Sequence, residues 1–189
     1  MRSALLRWLF EAITETYIPL LQLLGRWRHD GLHPRLTLTL TPTLCSMLLD
    51  PLLQARYERH LNELIELAEK EIHRTSWEKP FHELALFYHG RFVATRDAYT
   101  AYGRDLVGAF RRFQELGYVE IITSAATHAL LPLLADHPPS LRAQVMVARD
   151  HYQSCFGCEP RGIWLPECAY VESLEKVLQE ANLRWFVTD

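Results

Sequence analysis

Glu167 is the residue whose type and position best suit catalysis. The residues from Gly162 to Leu165 are apolar, and the segment is bounded by Pro160 and Pro166, which predicts a short buried strand from Arg161 to Leu165. Pro166 has no backbone donor and ends the pairing, so Glu167 lies just past the carboxyl end of a strand, where ligands and catalytic groups collect in α/β folds. The residues on either side of Glu167 are apolar and include no Lys or Arg. A carboxylate there is a poor choice for stability, which favours a functional role over capping of the next helix, for which Ser173 is better placed.

His128 occupies an equivalent position after another predicted strand. Residues Tyr118 to Thr123 alternate and are β-branched, which is typical of a strand, and Ser124 to His128 then form the loop at its carboxyl end. A single His after small residues is more often structural than catalytic. Because the carboxyl ends of parallel strands meet at one edge, we expect His128 to face the same side of the sheet as Glu167.

The rest of the chain predicts alternating helices and strands. Strands are expected at 36–40, 118–123, 161–165 and 184–188, and helices at 8–24, from Pro51, from 106 to Gly117, from a Ser140 cap, and at 173–182. The first helix should be interrupted at Pro19 and end at Gly25. The aromatic-rich segment 75–95 is expected to be an irregular insertion. This alternation predicts an α/β fold with a parallel sheet and helical crossovers.

Composition limits the function classes. A chain of 189 residues fits one domain, and a net charge of −3 gives no reason to expect nucleic acid or a membrane surface as a partner. Glu11 and Glu15 interrupt any signal-peptide core. We therefore expect a cytoplasmic protein. Cys155 and Cys158 form a C-x-x-C pair, but without a second pair we expect ordinary packing there.

Four segments resemble glycoside hydrolase family 57, and within it the 1,4-α-glucan branching enzymes. They are WLFEAITETYIPLL from Trp8, LTLTLTPTLCSML from Leu36, VEIITSAATHALLPLL from Val119 and GIWLPECAY from Gly162. The resemblance implies an incomplete seven-stranded parallel β/α barrel, an α-glucan substrate, a retaining mechanism, and no metal or organic cofactor. It implies that Glu167 is the nucleophile and that His128 lines the sugar site. Trp164, beside them, would offer an apolar face to a sugar ring.

Two departures from the family pattern shape our expectation for residues 1–189. Members begin with a strand that carries a His-x-His-x-Pro motif, whereas here His29 and His33 are four apart in an expected loop. Members also carry an Asp acid/base well downstream of the Pro-Glu pair. We therefore expect a partial catalytic domain of four strands, inactive alone, whose open sheet edges favour self-association.

Two other functions remain open. A metal-dependent polysaccharide deacetylase, on a related incomplete barrel, needs a carboxylate and paired His ligands, and only His29 and His33 are close in sequence. A non-catalytic carbohydrate-binding remnant is the other alternative.

Overall fold

The structure is a computed structural model that describes residues 4–188. The described chain divides into two compact units, one formed by residues 4–32 and 49–106 and the other by residues 33–48 and 107–188. We call them the helical unit and the sheet unit.

The helical unit contains four helices and a π-helical turn. These elements are α1 (Ala4–Ala12), the π turn (Ile13–Tyr17), α2 (Ile18–His29), α4 (Pro51–Arg74) and α5 (Lys79–Ala101). Asp50 accepts a hydrogen bond from the Leu53 N–H at 3.0 Å, so the predicted Asp-Pro start of α4 is confirmed.

The predicted end of the first helix is wrong. Gly25 lies inside α2, which continues to His29, so His29 is helical rather than in a loop. The interruption near Pro19 is a π turn in which the Ile18 N–H donates to the Ile13 carbonyl, five residues back. The glycine with left-handed backbone is Gly31, at φ 70°, which is where a helix-terminating glycine is needed.

The prediction of an irregular segment at 75–95 is also wrong, because most of it belongs to α5. Aromatic side chains occur on several sides of this helix, and Phe81 and Phe87 are both exposed. The apolar residues therefore give no single stripe of the kind that predicts a helix. A weaker helical spacing is present at the residues that line an apolar groove against α4, namely Phe81, Ala85, Tyr88 and Phe92.

The sheet unit is built on four parallel strands in the order β1-β2-β3-β4. The strands are β1 (Leu36–Thr39), β2 (Val119–Ser124), β3 (Gly162–Trp164) and β4 (Trp185–Phe186). All four predicted strands are confirmed, and their parallel pairing confirms the expected α/β fold. β4 is shorter than predicted. The helices of this unit are α3 (Pro42–Leu49), α6 (Leu106–Glu115), α7 (Pro138–Phe156) and α8 (Leu174–Glu180), α3 and α6 each having one terminal residue in the helical unit.

One buried hydrophobic cluster of the sheet unit lies between β3 and the helices α7 and α8. Ile163 and Leu165, Val145 and Leu174 are fully buried in one cluster. Ser140 does not cap α7 as predicted, because the helix begins at Pro138 and the His137 side chain accepts from the Ser140 N–H instead.

Two further findings concern the described residues as a whole. No helix within residues 4–188 is long and apolar enough to cross a membrane. Within the same range, no group of three or more His, Cys, Asp or Glu side chains is placed to hold a metal ion.

Candidate active site

Glu167 lies in a tight turn that directly follows β3. The turn spans Pro166–Cys168, and its bonds run from the Cys168 N–H to the Leu165 carbonyl (2.8 Å) and from the Ala169 N–H to the Pro166 carbonyl (3.2 Å). Glu167 and Cys168 both have left-handed backbone, at φ 58° and 53°. Non-glycine residues enter this region at a free-energy cost, so the turn holds Glu167 in a strained position.

Glu167 is not desolvated, contrary to the prediction from its apolar sequence neighbours. Its side chain is 77% exposed, so the carboxylate is not placed in an apolar environment and has no burial cost. The free-energy cost at Glu167 comes from its left-handed backbone instead. This corrected reason still separates Glu167 from an ordinary surface carboxylate, because strained residues cluster at functional sites.

His128 lies in the loop that follows β2, also with left-handed backbone, at φ 57°. Its N–H donates to the Ala125 carbonyl at 3.0 Å. The loop is fastened to α7 by Gln144, whose side chain accepts from the Thr127 N–H (3.0 Å) and donates to the Thr127 hydroxyl (2.8 Å). The position of His128 is therefore set by the turn and by a helix that packs against the sheet.

The structure brings His128 and Glu167 together, as predicted from their strand ends. The His128 Nε2 lies 3.8 Å from the Glu167 Oε1, and the two side chains are 43% and 77% exposed. That distance is longer than a hydrogen bond. The carboxylate thus faces solvent beside an imidazole without being tied to it, which leaves it able to approach a bound molecule.

Ser124, the last residue of β2, links the two loops. It is fully buried and pairs in register with Trp164 across the sheet. Its hydroxyl donates to the Trp164 carbonyl at 2.9 Å, and the same oxygen lies 3.4 Å from the His128 Nδ1. One hydroxyl therefore contacts both the strand that leads to Glu167 and the ring of His128.

Trp164 is half-buried at the end of β3, three residues before Glu167. Its backbone contributes the carbonyl that Ser124 binds.

Sequence reasoning missed Ser124 and Gln144 as parts of this site. A polar residue that ends a strand of buried residues is the one signal for Ser124. Gln144 gave none, since its partner Thr127 is 17 residues away.

Comparison with known proteins decides the family. The model of glycosyl hydrolase family 57 matches residues 2–189. This chain belongs to glycoside hydrolase family 57. The match confirms the resemblance that the four sequence segments indicated, and membership of a family of glycoside-cleaving enzymes supports an enzymatic role. It gives no support to the deacetylase alternative.

Curated and solved relatives agree with this assignment. A 1,4-α-glucan branching enzyme of Thermococcus kodakarensis is 35% identical over 197 residues, which cover 96% of this chain and 29% of that protein. The crystal structure of the α-amylase AmyC from Thermotoga maritima has a TM-score of 0.92 at 42% identity, covering 100% of this chain and 36% of that one. A branching enzyme of this family from Pyrococcus horikoshii has a TM-score of 0.90 at 32% identity, covering 96% and 37%.

These similarities establish the fold of the chain and how much of each relative's length it covers. The four-stranded parallel sheet corresponds to part of the family's β/α barrel, as predicted. The chain spans about a third of the length of the relatives that it matches.

Proposed function

We propose that Glu167 is the nucleophile of a retaining α-glucan-active enzyme whose main reaction is 1,4-α-glucan branching. The observation that carries this proposal is the placement of Glu167: an exposed carboxylate at the carboxyl end of a parallel strand, held in strained backbone 3.8 Å from an imidazole. Membership of family 57 and similarity to proteins named as branching enzymes support the choice of substrate and reaction.

The reaction proceeds in two displacements. A Glu167 oxygen attacks the anomeric carbon, the glycosidic C–O bond breaks, and a second carboxyl group about 5–5.5 Å away protonates the departing oxygen. The same second group then removes a proton from the 6-hydroxyl of a glucose unit, which attacks the anomeric carbon and releases Glu167. We place this second carboxyl group in the part of the relatives' length that this chain does not cover, as the resemblance implies.

His128 and Trp164 bind the sugar in this proposal. The His128 Nε2 lies 3.8 Å from the Glu167 Oε1 on a side chain that is 43% exposed, so a hydroxyl of the sugar that Glu167 attacks can reach it. Trp164 offers its ring as an apolar surface against a pyranose face, a common way to orient sugars in polar sites.

Hydrolysis is a second candidate function. The 42% identity to a protein named as an α-amylase favours it, and the two reactions differ only in whether water or a glucan hydroxyl attacks the glycosyl-enzyme. The products distinguish them, because branching creates α-1,6 linkages without a matching rise in reducing ends.

The test uses a chimera in which this chain replaces the matching segment of the T. kodakarensis branching enzyme. Glu167→Gln should lower turnover by several orders of magnitude, since it removes the attacking charge but keeps the shape. Glu172→Gln, a nearby exposed carboxylate, is the matched control and should stay near the parent rate. Azide added to Glu167→Ala should restore cleavage of an activated α-glycoside and give a β-glycosyl azide. Turnover of Glu167→Gln near the parent rate would contradict the proposal. If this chain is a non-catalytic remnant, no substitution in it should change turnover, and that result would also contradict the proposal.

The cellular setting follows from the substrate. We place the reaction in the cytoplasm and in glycogen biosynthesis, because branching of α-1,4-glucan is the activity named for the curated relatives. Cell fractionation followed by immunodetection of the protein tests the location.

A further inference from the structure

The Ser124 hydroxyl makes two polar contacts, and its chemistry fixes which of them it donates. A serine hydroxyl has one hydrogen to donate and two lone pairs that accept. The Ser124 oxygen has two partners, the Trp164 carbonyl at 2.9 Å and the His128 Nδ1 at 3.4 Å. A carbonyl oxygen only accepts, so the shorter bond uses the single hydrogen of Ser124. The remaining contact is satisfied only when the His128 Nδ1 carries a proton and donates it.

The burial of Ser124 makes an unsatisfied contact at its hydroxyl unfavourable. Ser124 is fully buried, and a buried polar group that loses a hydrogen-bond partner destabilises the folded state. An unprotonated Nδ1 would place a nitrogen lone pair against the lone pairs of the Ser124 oxygen. The proton on Nδ1 removes that conflict.

We propose that Ser124 is a positioning residue that holds neutral His128 in the tautomer with its proton on Nδ1. The consequence appears at the other ring nitrogen. Nε2 is then unprotonated and presents a lone pair toward the open site beside the Glu167 Oε1.

The catalytic meaning of this tautomer rests on the proposed function. An unprotonated Nε2 accepts a hydrogen bond from a sugar hydroxyl. It also places no N–H donor beside the Glu167 oxygen, 3.8 Å away, so no small movement of the two exposed side chains can form a hydrogen bond that would weaken the attack. A proton on Nε2 would instead make His128 a hydrogen-bond donor and would place an N–H group beside the Glu167 oxygen. Ser124 thus keeps Glu167 reactive while making His128 an acceptor for substrate.

Nitrogen NMR measures the tautomer directly. The chain is labelled with ¹⁵N-histidine and studied at about pH 8.5, well above the usual pKa of histidine. The chain has nine histidines, and the signals of His128 are those lost in His128→Gln. If the chain self-associates, solid-state spectra of the same sample give the same nitrogen shifts.

Three variants separate positioning from general loop stability. Ser124→Ala should lower the ratio of Nδ1–H to Nε2–H by about five- to tenfold, the worth of one hydrogen bond. Ser124→Thr keeps a hydroxyl and should restore the ratio. Gln144→Ala removes the loop's bonds to α7 but not the Ser124 contact, and should leave the ratio unchanged. Ser124→Cys, with a far weaker acceptor, replaces Ser124→Ala if that variant does not fold.

The outcomes distinguish this inference from the proposed function. Mainly Nε2–H in the parent chain, no change in Ser124→Ala, or an equal change in Gln144→Ala would overturn it. In the chimera, Ser124→Ala should lower kcat/KM by about tenfold, because both the attack by Glu167 and the hydrogen bond from the sugar hydroxyl depend on the tautomer. An intact tautomer shift together with an active Glu167→Gln would overturn only the assignment of the nucleophile. An absent shift together with an inactive Glu167→Gln would overturn only the role of Ser124.

Discussion

Gly162 of β3 packs directly against the indole ring of Trp185 in β4, and a side chain at position 162 would require the indole to move. A Cβ added at Gly162 would lie 2.4 Å from the Trp185 indole ring, well inside any real carbon contact. These residues are paired in the parallel ladder, so the glycine that opens the GIWLPECAY segment leaves the space that the Trp185 indole occupies.

We therefore predict that Gly162→Ala lowers the free energy of unfolding of the sheet unit by about 1–3 kcal/mol, because the indole must move from a packed position. Gly25→Ala is the control, since Gly25 lies within α2 and has nothing within 4 Å of an added Cβ. That change should raise stability by about 0.5–1 kcal/mol. Urea unfolding followed by circular dichroism measures both, and equal effects would argue against a tight contact at Gly162.

The strained backbone at Glu167 predicts a conflict between stability and activity. Glu167→Gly should raise the free energy of unfolding by about 0.5–1 kcal/mol, because glycine adopts positive φ without steric cost. The same variant should abolish turnover in the chimera.

Glu172→Gly is the matched control, since its φ is not positive. There glycine brings only extra freedom to the unfolded chain and should lower stability slightly. A loss of stability at both positions would show that the turn does not strain Glu167.

His151 predicts a loss of stability in mild acid. Burial lowers its pKa below the ordinary 6.5, and the ring contacts the Ser46 hydroxyl at 3.0 Å and the Cys155 thiol at 3.6 Å. Because the folded state favours the neutral ring, its contribution to stability is present above the unfolded pKa. It is lost as pH falls through the folded pKa.

Unfolding midpoints measured from about pH 7 to about pH 5 test this. His151→Gln keeps hydrogen-bonding capacity and should show a shallower decline than the parent chain. The exposed His29 supplies a control, and His29→Gln should decline as the parent does. Parallel curves for all three proteins would exclude His151 as the source.

Strand ends made the site predictable from sequence, whereas long-range contacts did not. The apolar run before Pro166 and the alternating, β-branched run before Ser124 predicted two strand ends on the same side of the sheet, and the pairing of β2 with β3 brings His128 and Glu167 together. The Ser124 bond to Trp164 joins residues 40 apart, which no local pattern reveals. The left-handed backbone of Glu167 was equally hidden, because its sequence context contains no glycine to mark it.

Self-association of this chain remains a prediction from its sheet. Within residues 4–188, β1 and β4 each pair with one neighbour, and such edges recruit further strands. Sizing chromatography with light scattering should therefore show species larger than 22.0 kDa. Thr37→Lys on β1 should reduce them, while Thr43→Lys, at an exposed position of α3, should not. A monodisperse monomer would contradict the prediction.

The most direct test of the central claim is to trap the covalent intermediate. A 5-fluoro-α-glucosyl fluoride slows both displacements, because the ring fluorine destabilises the oxocarbenium-like transition state, while the good leaving group lets the first one finish. Peptide mass spectrometry of the treated chimera should find one added fluoroglucosyl group on the peptide that contains Glu167, and none in Glu167→Gln. A label on a different carboxylate, with the Glu167 peptide unmodified, would contradict the assignment of Glu167 as the nucleophile.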